Sequence, residues 1–347
     1  MKILLIGKTG RIGFELQRSL ALLGEVAAPD RAGCDLARPD TLRAAIRAER
    51  PDAIVNAAAY TAVDEAERQP ALAMRLNAEG PGSLAAEARA AGALLVHYST
   101  DYVFDGRKDG AYLEDDEALP VNAYGRSKLA GEQAVRQAGG RHLILRTSWV
   151  HGAFGGNFLK TVLALMRERE SLDVVADQRG APTPAALVAD ATAWILAAYA
   201  RAGARRAADF PFGTYHLAAS GSTTWHGYAV LAARLARQAG MALRTAPQDI
   251  RPVPASASPR PAVRPANSRL DTARLRRAFG LALPDWQAGV EQAVRLIAQQ
   301  WGERAQETAR EARPERAGDS PQGQGAGLAQ DRTHGQAQPG SASEPGQ

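Results

Sequence analysis

The chain of 347 residues contains a single cysteine, Cys34, so an intrachain disulfide is excluded. Such sparse cysteine use is typical of a reducing compartment, and Cys34 itself is expected to be a small apolar core residue. Only four apolar residues separate Lys2 from Gly7, too few for a signal-peptide core, and no apolar run approaches the roughly 18 residues of a membrane span. A cytoplasmic protein without a membrane partner is therefore expected.

The sequence also lacks runs of basic residues interleaved with aromatics, and aromatic residues make up only 6% of it. The net charge of +5 is modest for this length. A nucleic-acid partner is not expected, although a mildly basic surface suits anionic small molecules. The six histidines show no metal-ligand spacing, so no metal site is predicted.

Strand-like and helix-like segments alternate along most of the chain, and the hydrophobic content of 45% is ample for a large core. Short apolar runs at 2–6, 53–56, 93–98 and 142–146 predict buried strands. The alternation indicates an α/β protein with a doubly wound, parallel, Rossmann-type sheet. Ligands of such a sheet bind beyond the carboxyl ends of its strands.

A glycine-rich turn follows the first predicted strand, in the pattern G-x-x-G-x-x-G, and an amphipathic helix is predicted after it over 14–23. Glycines at these steps let the backbone approach a pyrophosphate, which is then held at the helix N-terminus. The residues of this turn that we predict to bind a dinucleotide are Gly7, Gly10, Arg11, Ile12 and Gly13.

Tyr124 and Lys128 are four residues apart in a segment predicted to be helical. At this spacing the two side chains share one helix face, with Cβ atoms about 5–6 Å apart. A neighbouring ammonium favours the phenolate and lowers the pKa of a phenol, so the pair can act on one ligand as an acid/base device. The same spacing is common on ordinary solvated helices, and it gains weight from the glycine-rich turn.

Together the turn and the Tyr-Lys pair resemble the extended branch of the short-chain dehydrogenase/reductase superfamily. Within that branch the sequence most resembles the dTDP-4-dehydrorhamnose reductase family. The strings that carry this resemblance are Gly7-Lys8-Thr9-Gly10, the segments 56–64 and 98–104, Arg146-Thr147-Ser148-Trp149-Val150, the segment 177–183, and Leu283-Pro284-Asp285-Trp286.

The resemblance implies hydride transfer from NADPH or NADH to the C4 keto carbon of dTDP-4-dehydro-L-rhamnose, a step in making cell-surface polysaccharide such as lipopolysaccharide. It assigns Tyr124 as proton donor and Thr100 as hydrogen-bond partner of the same oxygen. Lys128 would lower the pKa of Tyr124 and hold the nicotinamide ribose. Because serine is the commoner partner in the superfamily and Ser99 is adjacent, the Thr100 assignment depends on the family match.

The resemblance also implies substrate contacts from Asp101, Phe104 and Trp149, where Trp149 could instead be a core indole at a strand end. At the other end of the cofactor, Asp30 would bind ribose hydroxyls whereas Arg31 would accept a 2′-phosphate, so the choice between NADH and NADPH stays open. The remaining residues expected at the cofactor are Asp35, Leu36, Ala58, Ala59, Tyr60 and Tyr98, although Asp35 could equally cap the following helix.

The predicted organisation is a cofactor domain over 1–150, with returning elements near 177–219, interleaved with a smaller α/β substrate domain over 151–176 and 220–302. A proline-rich segment, Pro247–Pro265, is expected to form an extended ordered loop over the substrate. The composition of 303–347 predicts a disordered tail.

Alternatives to this reductase remain open. A non-catalytic NADP-binding protein, like the regulatory subunit of methionine adenosyltransferase, has a similar sequence, as do other nucleotide-sugar reductases and epimerases. A 4,6-dehydratase is excluded because Tyr102 stands where elimination needs a glutamic acid. Enteric members of the resembled family are magnesium-linked dimers, and Glu15 matches one of their acidic positions. The companions of Glu15 are not identifiable from the sequence, so a homodimer and Mg²⁺ are left open.

Overall fold

The computed structural model describes residues 1–206 and 209–311. The strands are β1 (Lys2–Ile6), β2 (Glu25–Ala27), β3 (Ala53–Asn56), β4 (Leu94–Thr100), β5 (His142–Thr147), β6 (Val150–His151), β7 (Leu172–Val175), β8 (Arg179–Gly180), β9 (Thr183–Pro184), β10 (Gly213–His216), β11 (Thr223–Thr224) and β12 (Ile250–Val253). The α-helices are α1 (Arg11–Leu20), α2 (Pro39–Glu49), α3 (Val63–Arg68), α4 (Pro70–Met74), α5 (Gly80–Ala90), α6 (Ala123–Gln137), α7 (Phe158–Glu168), α8 (Ala185–Arg206), α9 (Trp225–Gln238), α10 (Ala273–Phe279) and α11 (Trp286–Glu311).

Six of these strands form one parallel sheet in the order β10-β5-β4-β3-β1-β2. Strand β2 lies on one side of β1, whereas β3, β4, β5 and β10 follow one another on the other side. The strand order therefore reverses between β1 and β3, which is where open α/β sheets bind their ligands. The predicted α/β class and parallel sheet are confirmed.

Both faces of the sheet are covered, which explains why its strands are nearly continuous apolar runs. On one face, Leu16 and Leu20 of α1 pack with Val188 and Leu196 of α8. On the other, helices α2 and α5 bury side chains such as Leu42 against the sheet. Every residue of β4 is buried. These two cores hold the carboxyl ends of the strands at one edge.

A further hydrophobic core lies within 153–297 and is built mainly from α7, α9 and α11 with the two-stranded parallel sheet β7–β12. Helix α10 does not belong to it, because Leu275 and Phe279 pack into the core on the α1–α8 face of the main sheet. The predicted division, which assigns all of 220–302 to the substrate domain, therefore differs from the packing at α10. Residues 1–303 form one compact unit.

Other boundaries differ from those predicted. The proline-rich segment is more regular than the extended loop that was expected, since it contains β12 and two short 3₁₀ turns. Helix α11 continues to Glu311, beyond the end predicted near Trp301, because the sequence there is rich in Ala, Glu, Gln and Arg, which favour helix. From residue 312 on, the predicted disordered tail lies outside the described residues.

Helix α8 is long and apolar enough over 185–203 to span a bilayer by length and composition alone. Its Val188, Ile195 and Leu196 are buried in the sheet core together with α1. Packing within the protein therefore accounts for the apolar character of this helix.

Candidate active site

The glycine-rich turn brings the backbones after β1 and β3 into contact. Gly7 has a φ of 85°, and a Cβ there would lie 2.6 Å from the Ala58 nitrogen. A Cβ on Gly13 would collide with the Gly7 carbonyl oxygen. The Lys8 ammonium donates to the Ala28 carbonyl at 2.7 Å, which ties the turn to the end of β2. The turn therefore fits the close backbone approach that a dinucleotide needs.

A cavity of about 850 Å³ opens at the carboxyl ends of β1, β3, β4 and β5 and lies within the size range of small-molecule sites. Most of the predicted site residues line it: Gly7, Gly10, Arg11, Ile12, Asp30, Arg31, Asp35, Leu36, Ala58, Ala59, Tyr98, Thr100, Asp101, Tyr124, Lys128 and Trp149. One cavity thus joins the glycine-rich turn to the Tyr-Lys pair.

Three predicted site residues are absent from the cavity lining. Gly13 packs against Gly7 on the far side of the turn. The Tyr60 nitrogen donates to the Asn77 side chain at 2.8 Å. Phe104 is fully buried in an apolar cluster, where its ring stacks on Tyr112 at 4.2 Å. The structure therefore does not place Tyr60 and Phe104 at the cavity, and both rings pack against apolar clusters instead.

Strand β4 ends at Thr100, so its hydroxyl emerges at the sheet edge together with Asp101. The Thr100 hydroxyl donates to Asp101 Oδ1 at 2.9 Å, and the Ser148 hydroxyl donates to Oδ2 at 3.2 Å. Burial raises the pKa of the Asp101 carboxyl to about 6, and these hydrogen bonds oppose that rise. The Thr100 oxygen still accepts from the Tyr102 nitrogen, so Asp101 orients the hydroxyl within a network.

Helix α6 begins just before Tyr124 and is capped by Asn122, whose side-chain oxygen accepts from the Gly125 nitrogen at 2.7 Å. Burial raises the pKa of Tyr124 to about 12, while the side chains of Thr100 and Arg11 oppose the rise. The predicted lowering of this pKa by Lys128 is therefore wrong for this structure. The Lys128 ammonium is directed elsewhere, since it donates to the Tyr98 carbonyl at 2.6 Å.

Lys128 is almost fully buried, and desolvation lowers its pKa to about 8 while the Glu132 carboxylate acts in the opposite direction. Glu132 lies one turn further along α6, and its two carboxylate oxygens accept from Nε and Nη2 of Arg146 at 2.8 and 2.7 Å. Sequence reasoning missed Glu132. Its spacing of four residues from Lys128 was the available signal.

The opposite side of the cavity is formed by five side chains that we call the aromatic wall: Trp149, His151, Phe158, Trp225 and Tyr228. The indoles of Trp149 and Trp225 stack face to face, with ring centres 3.5 Å apart and an interplanar angle of 9°. Trp149 has a φ of 46°, in the left-handed region that a bulky residue rarely adopts. Strain of this kind concentrates at ligand sites.

Comparison with known proteins shows the family of the chain. Residues 1–298 match the family described as the RmlD substrate binding domain. The dTDP-4-dehydrorhamnose reductase of Burkholderia thailandensis is 50% identical over 300 residues, which cover 86% of this chain and 100% of that protein. The chain belongs to the dTDP-4-dehydrorhamnose reductase family.

Solved structures titled dTDP-4-dehydrorhamnose reductase share its fold. The protein from Clostridium acetobutylicum has a TM-score of 0.78 at 33% identity, covering 86% of this chain and 99% of that one. The protein from Bacillus anthracis, in complex with NADP, has a TM-score of 0.74 at 33% identity, covering 84% of this chain and 98% of that one. The match spans both walls of the cavity.

In this member of the dTDP-4-dehydrorhamnose reductase family, the proline-rich segment is fastened beside the cavity. The Arg264 guanidinium pairs with the Asp64 carboxylate at 2.5 and 2.8 Å, and the Val263 carbonyl accepts from Asn122 at 2.8 Å. Arg264 also lies close enough to act on the pKa of Tyr102, which lines the cavity. The segment is thereby bonded to the start of α3 and to the N-terminal cap of α6.

Within the described residues, no group of three or more His, Cys, Asp or Glu side chains could hold a metal ion. The acidic Glu15 does lie near Asp190 of α8. Arg18 pairs with both, at 3.9 Å from Glu15 and 2.8 Å from Asp190. Arg18 thus offsets one of the two negative charges of this acidic pair.

Proposed function

We propose that the chain is an NAD(P)H-dependent dTDP-4-dehydrorhamnose reductase, which reduces the C4 keto group of dTDP-4-dehydro-L-rhamnose to give dTDP-L-rhamnose. The observation that carries the proposal is that Thr100, Tyr124 and Lys128 line the same cavity as the glycine-rich turn. A proton donor and a dinucleotide site are therefore within reach of one substrate.

The residues of the turn fit a bound dinucleotide, because Gly7, Gly10 and Arg11 line the cavity at the N-terminus of α1, where backbone N–H groups can hold a pyrophosphate. NADPH or NADH would supply the hydride. Lys128, already fixed by the Tyr98 carbonyl, has further N–H donors for the ribose hydroxyls of the nicotinamide.

Tyr124 is well suited to give a proton to the sugar oxygen. Its pKa of about 12 keeps the phenol protonated at neutral pH, so it serves as a general acid in the reducing direction. The Thr100 hydroxyl donates to Asp101 in this structure, and it would turn its proton to the same sugar oxygen when the substrate binds. Arg11 opposes the rise in the Tyr124 pKa and so stabilises the phenolate left behind.

The test is an assay with dTDP-4-dehydro-L-rhamnose in which NADPH and NADH oxidation are followed separately. Oxidation that requires the sugar supports the reductase. Tight cofactor binding with no turnover of this or related keto sugars would favour a regulatory protein instead. Isomerisation of a dTDP-sugar without net oxidation would favour an epimerase.

We further propose that the core of 153–297 provides the substrate-binding part and that the main sheet holds the cofactor. The enzyme would act in the cytoplasm, on a dTDP-sugar precursor of lipopolysaccharide, without a nucleic-acid or membrane partner. A homodimer is proposed as its assembly, and the sedimentation velocity of the purified chain tests it.

A further inference from the structure

The aromatic wall contains three buried polar atoms without a hydrogen-bond partner among the described residues. They are both ring nitrogens of His151 and the hydroxyl of Tyr228. Each of these side chains is only 1% exposed, and each lines the cavity. Their rings lie side by side, with centres 5.8 Å apart. The aromatic wall, which is otherwise mostly apolar, therefore contains one polar position, formed by His151 and Tyr228.

Unpaired polar atoms of this kind are concentrated at the cavity. The described residues contain six buried side-chain nitrogen or oxygen atoms without a partner, and five of them belong to residues lining the cavity. Ser99 and Thr147 supply the two at the ends of β4 and β5, beside Thr100. His151 and Tyr228 supply the other three, on the opposite wall. Buried polar groups are rarely left unpaired in folded proteins, so such a cluster needs a physical reason.

The chemistry of the two side chains defines what they can bind. Burial and the nearby Arg11 guanidinium lower the pKa of His151 to about 3, so its imidazole is neutral at pH 7. A neutral imidazole has one N–H donor and one acceptor nitrogen, and a phenol both donates and accepts. The pair therefore suits an uncharged group that can do both.

We propose that His151 and Tyr228 form a hydrogen-bonding point for an uncharged ligand group that both donates and accepts, a sugar hydroxyl or the nicotinamide carboxamide. The inference rests on the proposed function, which brings both groups into this cavity. His151 follows two residues after Trp149, and Arg11 acts on both His151 and Tyr124. The point thus belongs to the aromatic wall and shares Arg11 as a neighbour with the proposed site of proton transfer.

The first test is Tyr228→Phe, which removes only the hydroxyl. Losing a neutral hydrogen bond to a ligand weakens binding by about 2- to 12-fold. The melting temperature should stay the same or rise, because an unpaired buried hydroxyl has been replaced by hydrogen. A matched control is Tyr215→Phe. The Tyr215 hydroxyl donates to the Pro211 carbonyl at a distance of 2.7 Å, and Tyr215 does not line the cavity. That control should lower the melting temperature and leave ligand binding unchanged.

His151→Leu should weaken the same ligand by a similar factor, and His151→Gln, which keeps a donor and an acceptor, should recover part of the loss. Two measurements identify the ligand. A raised KM for the sugar nucleotide with an unchanged NADPH Kd assigns a sugar hydroxyl, whereas a raised NADPH Kd, measured by tryptophan fluorescence without sugar, assigns the carboxamide.

Unchanged constants for both ligands in Tyr228→Phe and His151→Leu would overturn the inference, whatever happens to the melting temperature. If the wild-type chain proves unable to reduce the sugar, the proposed function fails separately. In that case the Kd values for NADPH and for dTDP-L-rhamnose still decide whether the two side chains contact a ligand.

Discussion

The two walls of the cavity are built by different means. The wall that we propose to be catalytic, formed by Thr100, Asp101, Tyr124 and Lys128, comes from the end of β4 and the start of α6. Hydrogen bonds to Asp101 and to the Tyr98 carbonyl fix this catalytic wall. The aromatic wall comes from residues up to 79 positions apart in the sequence and is held by contacts between aromatic rings. The comparison teaches that backbone geometry positions the reacting groups, whereas side-chain packing shapes the space for the ligand. Substitutions in the first should therefore change the rate, and those in the second should change binding.

The largest effect is expected from Tyr124→Phe in the catalytic wall. Only the proton donor is lost, so kcat should fall by about 10²–10⁴-fold while NADPH Kd stays within a few fold. Single-turnover kinetics and fluorescence titration measure the two quantities. A variant that keeps more than a tenth of the wild-type kcat would show that another group donates the proton.

A second effect concerns the far end of the cofactor, outside both walls. Asp30 and Arg31 both line the cavity, and the Arg31 guanidinium lies 3.4 Å from the Asp35 carboxylate. Because opposed charges are adjacent, kcat/KM for NADPH and NADH should lie within about 30-fold, or roughly 2 kcal/mol. Arg31→Ala should shift the preference toward NADH, and Asp30→Ala should shift it toward NADPH. Equal changes for both cofactors would mean that these side chains do not reach the adenosine ribose.

A smaller effect is expected from Trp225→Leu in the aromatic wall. Loss of the stack on Trp149 should raise the KM for the sugar by about 2- to 12-fold, with kcat changed less than twofold. Trp194→Leu is a control, because that indole is half exposed and donates to the Phe279 carbonyl away from the cavity. A fall in kcat of Trp225→Leu comparable to that of Tyr124→Phe would break the distinction between the walls.

The smallest effect is a change of stability at Asp101. Burial raises the pKa of the Asp101 carboxyl to about 6 in the folded protein, whereas its ordinary pKa is near 4. The folded protein therefore takes up the proton first, and the free energy of unfolding rises as the pH falls from about 6 to about 4. The buried carboxylate is correspondingly destabilising at neutral pH. Asp101→Asn should raise the melting temperature by a few degrees at pH 7.5, and the gain should vanish near pH 4. A gain that does not depend on pH would show that the Asp101 charge is not its cause.

Sequence reasoning could bring Thr100, Asp101, Tyr124 and Lys128 to one cavity because these residues lie in short contiguous strings whose spacing has a local meaning. A strand followed by a glycine-rich turn, and a Tyr and a Lys one helical turn apart, can be recognised without tertiary information. The direction of the Tyr124 pKa shift could not be predicted, because it depends on burial and on where the Lys128 ammonium points.

The aromatic wall was largely missed for a related reason. Trp225 and Tyr228 lie on α9, which no sequence motif singled out, and only the fold brings them to Trp149. Phe104 shows the converse error, since it lies within a string typical of the family yet packs with Tyr112 in the core. Proximity in sequence to Thr100 was not enough to place that ring at the ligand.

The position of β10 at one end of the main sheet has a consequence for synthesis on the ribosome. Among the described residues it pairs with β5 alone, which ends at Thr147, and β10 begins at Gly213. At about 5–20 residues per second, the chain spends several seconds with the hydrogen-bonding edge of β5 uncovered. An open edge of that kind can pair with another nascent chain. Chaperone contact during this interval would protect the growing polypeptide until its last sheet strand has emerged.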